Sequence, residues 1–219
     1  MKKNIAIILS AAGTLSLASQ AGAVAVYDAA DNITFDVIAD PSLALYPTSP
    51  AGATASWTQA LGEAAAFDPA GSSHLAIVLD GTEETAIQSA ITLTGVSGEV
   101  WAGAYQNPIT ETTSTVGWTW INGTTFPGYA GQPGTFGSSY SYWSSGEPND
   151  NYGPGSEQYL GLSLHGLGGW NDEGNPSLIA GYVVEYNGQP VSTPDGGMTA
   201  GLLGSALIGL ATLRRKLVA

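Results

Sequence analysis

All five Lys and Arg residues of this 219-residue chain lie at its ends, Lys2 and Lys3 at the start and Arg214, Arg215 and Lys216 at the finish, whereas its 18 acids run from Asp28 to Asp195. The body between must therefore fold with no fixed cation. No Lys or Arg salt bridge can form there, so any buried carboxylate has to be protonated, hydrogen-bonded or metal-bound. A formal net charge of −13 with no basic patch excludes nucleic-acid binding, because neutralising phosphates needs Lys or Arg. There is no cysteine either. Abundant Gly, Trp and Tyr and a 43% hydrophobic share nevertheless describe a packed globule rather than a disordered acidic chain. One domain is the natural reading at this length.

The two ends read as addresses. Residues 1–23 open with Lys2-Lys3, continue as an apolar stretch from Ile5 to about Leu17 and finish in Ala21-Gly22-Ala23, the pattern of a secretory leader cut after Ala23. The body follows over residues 24–188, and a linker and tail over 189–219. That tail runs Thr193-Pro194-Asp195-Gly196-Gly197, then an apolar segment Met198–Leu213, then Arg214-Arg215-Lys216. The segment is short for a spanning helix, but flanking basic residues can snorkel and would stay on the cytoplasmic side. It resembles a PEP-CTERM-type sorting signal with a Pro-Asp-Gly-Gly core. The resemblance implies export in a Gram-negative-type bacterium, transient inner-membrane anchoring and processing by an exosortase. Delivery to the cell surface, extracellular matrix or biofilm would follow. A plain C-terminal anchor is the alternative, and it too places the body outside the cytoplasm.

Within the body, Ile33–Ala39 alternates as a strand does, and 74–79, 99–105 and 179–186 also read as strands. Ser56 is a candidate cap for a helix with Trp57, Ala60, Leu61 and Ala64 on one face, and Thr82 for a second helix over about 82–90. Residues 106–170 are rich in Gly, Ser, Thr, Pro and aromatics. Trp118, Trp120, Phe126, Phe136, Tyr140 and Trp143 argue that this is an ordered loop region, where binding chemistry tends to sit.

Three stretches in that region concentrate oxygen donors: Glu147-Pro148-Asn149-Asp150, Glu157, and Asn171-Asp172 after Trp170. A donor set of carboxylates and amides with no Cys and two His suits calcium better than zinc or copper. The Glu147–Pro148 bond is trans by statistical default; a cis bond would allow Glu147 and Asn149 to face the same way. The competing interpretation is an ordinary polar turn.

In order along residues 30–187, these stretches resemble a C-type lectin-like domain. The resemblance is carried by Trp57-x-x-Ala60, His74-Leu75-Ala76, Val100-Trp101-Ala102-Gly103, Trp118-Thr119-Trp120, Glu147-Pro148-Asn149, Trp170-Asn171-Asp172 and Gly181-Tyr182-Val183-Val184-Glu185. It implies an α+β fold with two helices, small antiparallel sheets and a long loop region. It also implies that Glu147, Asn149, Glu157, Asn171 and Asp172 hold Ca2+ and contact a sugar, with the mannose-type preference that goes with Glu-Pro-Asn. The family's usual disulfide positions fall at Ala64, Tyr159, about Asn175 and Val184, so this version has to be held by packing. The Asn149–Glu157 interval is slightly long for the family. Asp150, with Glu111, is the candidate for an auxiliary calcium.

Other residues have plainer roles. Trp57, Trp101 and Trp120 read as core and His74 as structural, while Tyr152 and His165 read as exposed loop residues near the site. The function implied is calcium-dependent binding of an exopolysaccharide or surface glycan. The alternative is a structural or adhesive matrix protein that uses the same fold for protein contacts. No nucleophile motif surrounds any serine, so catalysis is not expected.

Overall fold

The computed structural model describes residues 6–9, 15–18, 23–68, 71–128, 134–136, 139–164 and 168–190. Most of residues 1–23, His165 and residues 191–219, which include the candidate C-terminal sorting signal, lie outside them. Among the described residues no helix is long and apolar enough to cross a membrane.

The architecture is α+β, as the sequence implies. Strand β4, Ile33–Ala39, spans the residues its alternation marks. It pairs on one side with β3 (Ala23–Asp28) and on the other with β12 (Ile179–Asn187), both antiparallel. On the far side of β12 lies β6 (Glu99–Gln106), in parallel, with Tyr182 opposite Trp101. Then come β10 (Tyr159–Leu162) and β11 (Trp170–Glu173), each antiparallel to its neighbour. Two short strands, β1 (Ala6–Leu9) and β2 (Leu15–Ala18), continue the sheet beyond β3. The brief strands β5 (His74–Leu75) and β7 (Trp118–Trp120) add to β12 and β6, and β8 (Gly134–Phe136) and β9 (Ser139–Ser141) form a separate hairpin.

Both helices begin earlier than read from sequence. Helix α1 is Pro50–Ala65, capped by Ser49, whose hydroxyl accepts from the Gly52 N–H at 3.1 Å. Pro50 fits the first helical position because its missing N–H has no partner there anyway. Ser56 is instead internal and buried: it accepts from Trp101 Nε1 at 3.0 Å and donates to the Leu43 carbonyl at 3.1 Å. Helix α2 is Gly81–Thr94, capped by Asp80 rather than Thr82 and ended by Gly95 in the left-handed conformation, where an L side chain is strained. The 74–79 stretch pairs as a ladder only at His74 and Leu75, because Glu83 and Glu185 side chains, not a strand, accept the Leu79 and Ile77 N–H groups.

Alternation along β12 divides the core. Val183 joins a cluster under α2 with Phe35, Val37, Ile87, Trp120 and Trp170, whereas Tyr182 and Val184 join one under α1 with Trp57, Ala64, Trp101 and Tyr159. Three of the four positions where the resemblance puts cysteines, Ala64, Tyr159 and Val184, thus meet in one apolar cluster. Near Asn175 the chain is held differently, the side chain capping a turn by accepting from the Ser177 N–H at 3.1 Å.

Trp57 is the keystone of the α1 cluster: it stacks on Tyr159 with ring centroids 4.9 Å apart and donates to the Ala102 carbonyl at 2.8 Å. Trp57→Ala should cost about 3–5 kcal/mol of stability in a denaturant titration. A loss under about 1 kcal/mol would show that the cluster does not replace the disulfides.

Candidate functional site

The loop region is fixed to the sheet beside β11. Trp170 donates its N–H to the Tyr142 carbonyl at 2.8 Å and returns its own carbonyl to the Ser144 N–H at 3.0 Å. Residues 142–144 thereby run alongside the start of β11 and deliver the Glu147–Asn149 turn to its flank. A bond from Ser114 Oγ to the Pro148 carbonyl, 3.0 Å, ties that turn to the 107–117 loop. The Glu147–Pro148 peptide bond is cis.

Asp172 joins the two parts. Its carboxylate accepts from the Asn149 N–H at 2.8 and 3.0 Å and from the Asp150 N–H at 2.8 Å. Glu157 makes the parallel connection, accepting from the Asn151 N–H at 2.5 Å while its own N–H donates to Asp150 Oδ1 at 3.2 Å. Despite the long interval from Asn149, Glu157 thus belongs to the group. Glu147, Asp150, Glu157, Asn171 and Asp172 are all buried, and Asn149 is exposed. Tyr152 stands exposed on the same loop, its hydroxyl accepting from Asn175 Nδ2 at 3.2 Å. The Glu111 carboxylate accepts from the N–H groups of Thr112 and Thr113, and its carbonyl accepts from Gln158 Nε2 at 3.0 Å.

Two further acids, absent from the sequence reading, complete the cluster. Glu99 and Glu173, both buried, receive the side-chain amide of Asn171, which donates to Glu99 Oε2 at 3.2 Å and to Glu173 Oε2 at 3.4 Å. Alternation of Trp-Asn-Asp-Glu on a strand puts Glu173 on the face of Asn171 and was available as a signal; Glu99, opening a distant strand, offered none. Asn171 and Asp172 consequently point apart. The Asn171 amide, which the resemblance assigns to sugar, is engaged inside the protein.

The electrostatics follow from burial without cations. Among the described residues the only ion-pair contact is His74 Nε2 to Glu185 Oε1 at 3.8 Å, away from this cluster. Burial, then the charge of Asp172, lifts Glu157 to about 9. Burial followed by Asp172, which also shares a hydrogen bond with it, lifts Glu147 to about 7. Asp172 is raised by burial too, against the N–H groups of Asp150 and Asn149 and the hydrogen bond shared with Glu147, which favour its charged form. Burial, then Glu173, lifts Glu99 to about 8, and burial lifts Glu173 to about 7 against the N–H groups of Gly174 and Asn175.

Glu147 Oε2 and Asp150 Oδ2 are buried without a hydrogen-bond partner. Unfilled acceptors of this kind are uncommon in folded proteins and suit an oxygen-seeking cation. In the arrangement seen, no three Asp, Glu or His side chains among the described residues are gathered closely enough to hold one ion. The donor chemistry fits calcium, and Glu147, Asn149, Glu157, Asn171 and Asp172, with Asp150 beside them, are the residues that would hold it.

No protein-family model matches the chain, and no curated protein matches it. Its fold is similar to that of solved C-type lectins. CEL-I from Cucumaria echinata shares 17% identity at a TM-score of 0.48, over 72% of this chain and 92% of that one. The cow C-type carbohydrate-recognition domain of CD23, solved in the presence of a GlcNAc2Man3 oligosaccharide, shares 18% at 0.47, over 73% and 91%. A calcium-independent type II antifreeze protein shares 17% at 0.44, over 77% and 93%.

The raised carboxyls fix the sign of a pH dependence. A group whose folded pKa lies above its unfolded value binds more protons when folded, so its stabilising contribution is full below the unfolded value and is lost as pH rises through the folded one. With Glu147 and Glu173 about 7, Glu99 about 8 and Glu157 about 9, the melting temperature in chelator should fall steadily from pH 5 to pH 9. Glu157→Gln should flatten the upper part of that decline. A melting temperature that rises over this range would mean the carboxylates find compensation elsewhere.

Proposed function

We propose that this chain is an exported, calcium-dependent carbohydrate-binding protein that acts on an exopolysaccharide or surface glycan. One observation carries the reading: two unfilled buried oxygens, on Glu147 and Asp150, stand in a cluster of oxygen donors that has no Lys or Arg to neutralise it. Calcium would supply the missing positive charge in place of protons. It would also offer open coordination positions to a pair of sugar hydroxyls. Exposed Asn149 would donate its amide to one hydroxyl, and Glu147 would accept from another. The Glu147-Pro148-Asn149 sequence supports mannose-type sugars over galactose.

The leader of residues 1–23 and the tail of 189–219 support export, an exosortase-type processing partner, transient membrane retention and final placement at the cell surface or in the matrix. A structural or adhesive role has one observation in its favour, the inward engagement of the Asn171 amide, which leaves fewer donors for a sugar.

Binding to immobilised mannan with and without chelator separates the two. The proposal expects retention that drops by about tenfold or more once calcium is removed, the loss typical of a disturbed metal site. Chelator-indifferent retention, or none, would favour the adhesive role. Glu147→Gln with Asn149→Asp should move preference toward galactose, read on a glycan array; an unchanged profile would mean these two residues do not read the sugar.

A further inference from the structure

Gly161, on the middle of three strands, has Asn171 directly opposite on one side and Glu99 diagonally across on the other. In the pairing of β10 with β11, Gly161 lies opposite Asn171, and in the pairing with β6 it lies opposite Trp101, two residues beyond Glu99. The gap left by the missing side chain of Gly161 is filled: a Cβ built there would fall 2.5 Å from Glu99 Oε2. Glu99 therefore reaches over the middle strand to Asn171 on the third, where its two oxygens lie 3.4 and 3.2 Å from Asn171 Nδ2. Glu173, two residues along β11, meets the same nitrogen from the other side. It is itself fixed by the N–H groups of Gly174 and Asn175, at 2.8 and 2.5 Å from its Oε1.

An acidic pair of this kind is an unusual choice for mere filling. Two carboxylates side by side, 1% exposed and with no cation near, are costly to bury, and an apolar pair would stabilise the sheet better. What the pair does is orient one amide. With both acceptors on its nitrogen, the Asn171 amide oxygen is turned away from them and cannot rotate without leaving two buried oxygens unfilled.

We infer that Glu99 and Glu173, seated through the gap at Gly161, are positioning residues that lock Asn171 with its amide oxygen presented as an acceptor. This rests on the calcium reading for its purpose, because a side-chain amide binds a hard cation through oxygen. On this reading Asn171 serves the ion, and Asn149 is the asparagine left to donate to a sugar. Outer partners that orient a ligand typically matter about tenfold or more in metal affinity.

The full chain tests this in two ways. In metal-free protein, the two Asn171 side-chain amide protons should give separate NMR resonances that exchange slowly with solvent. Glu99→Gln, which keeps an acceptor oxygen, should preserve them; Glu99→Ala should collapse the protection. Gly161→Ala, which leaves Glu99 in the sequence but closes its seat, should do the same. Calcium affinity by titration calorimetry should fall about tenfold or more in the two Ala variants and stay within about twofold in Glu99→Gln. Fast exchange at Asn171 in the unaltered chain overturns the inference outright, whether or not any variant folds. So does calcium affinity that is indifferent to Glu99→Ala. A protected amide in a chain that binds no calcium would instead sink the proposed function while leaving the lock on Asn171 standing.

Discussion

The carboxylate of Asp172 is the hinge on which the architecture turns. It sits on the strand β11, fully buried, and takes the backbone N–H groups of Asn149 and Asp150. Loop and sheet are thus joined at this point by a charge, in addition to the packing of the aromatic rings. A carboxylate accepting several N–H bonds holds its charge even in a poorly solvating surround. Once Asp172 is anionic, the neighbouring acids must respond, because no Lys or Arg exists in the body to share the load. Glu147 is lifted to about 7 beside it, and Glu157 to about 9, by burial and then by the charge of Asp172. The N–H groups that order the turn thus also favour the charged form of Asp172 against its burial, and that charge raises the acids around it.

Stability has to come from elsewhere, and the aromatic residues supply it. On one side of the sheet, Trp57, Trp101 and Tyr159 interlock under α1. On the other, Trp118, Trp120, Phe126, Trp143 and Trp170 pack edge to face, an arrangement that adds to plain burial. Trp170 belongs to both accounts. Its ring closes the second cluster, its indole N–H donates to buried Glu84 at 2.8 Å, and its backbone receives the 142–144 segment. The residue next along is Asn171. A chain without disulfides thus ties its loops to its core through one tryptophan, and the donors of the site are set by how that ring packs.

How much of this was legible in the sequence depended on whether the signal was local. The alternation of Ile-Thr-Phe-Asp-Val-Ile-Ala delimits β4 to the residue, since a strand buried between two neighbours leaves little freedom in its boundaries. Helix starts were misread because Ser56 and Thr82 are plausible caps by type, whereas Ser49 before Pro50, and Asp80, win by geometry. Glu147, Asn149, Glu157 and Asp172 could be grouped from the sequence because their turn and strand motifs are short and close in the chain. Glu99 was not, because its importance arises only when β6 and β11 are brought to either side of β10, and nothing within a few residues of it marks that. The direction in which Asn171 points was hidden for the same reason: residue type gives an amide, and only its neighbours decide which end faces out.

That last point bears on what an acid-rich, cation-free body is suited to do. Where Lys or Arg is available, a carboxylate cluster can be neutralised permanently and becomes structure. Here the only compensation besides protons is what arrives from solvent, and under the proposed function that is a divalent ion. Protons and calcium then compete for the same oxygens: Glu147 and Glu157 cannot hold both. On that reading acid would release the ion, because protons neutralise the same oxygens. Exchanging one form of neutralisation for the other changes the surface offered by the Glu147–Asn149 turn while Asp172 keeps the backbone of that turn where it is. A binding site gated by ion supply but built on a fixed loop is the form of control that this composition makes available.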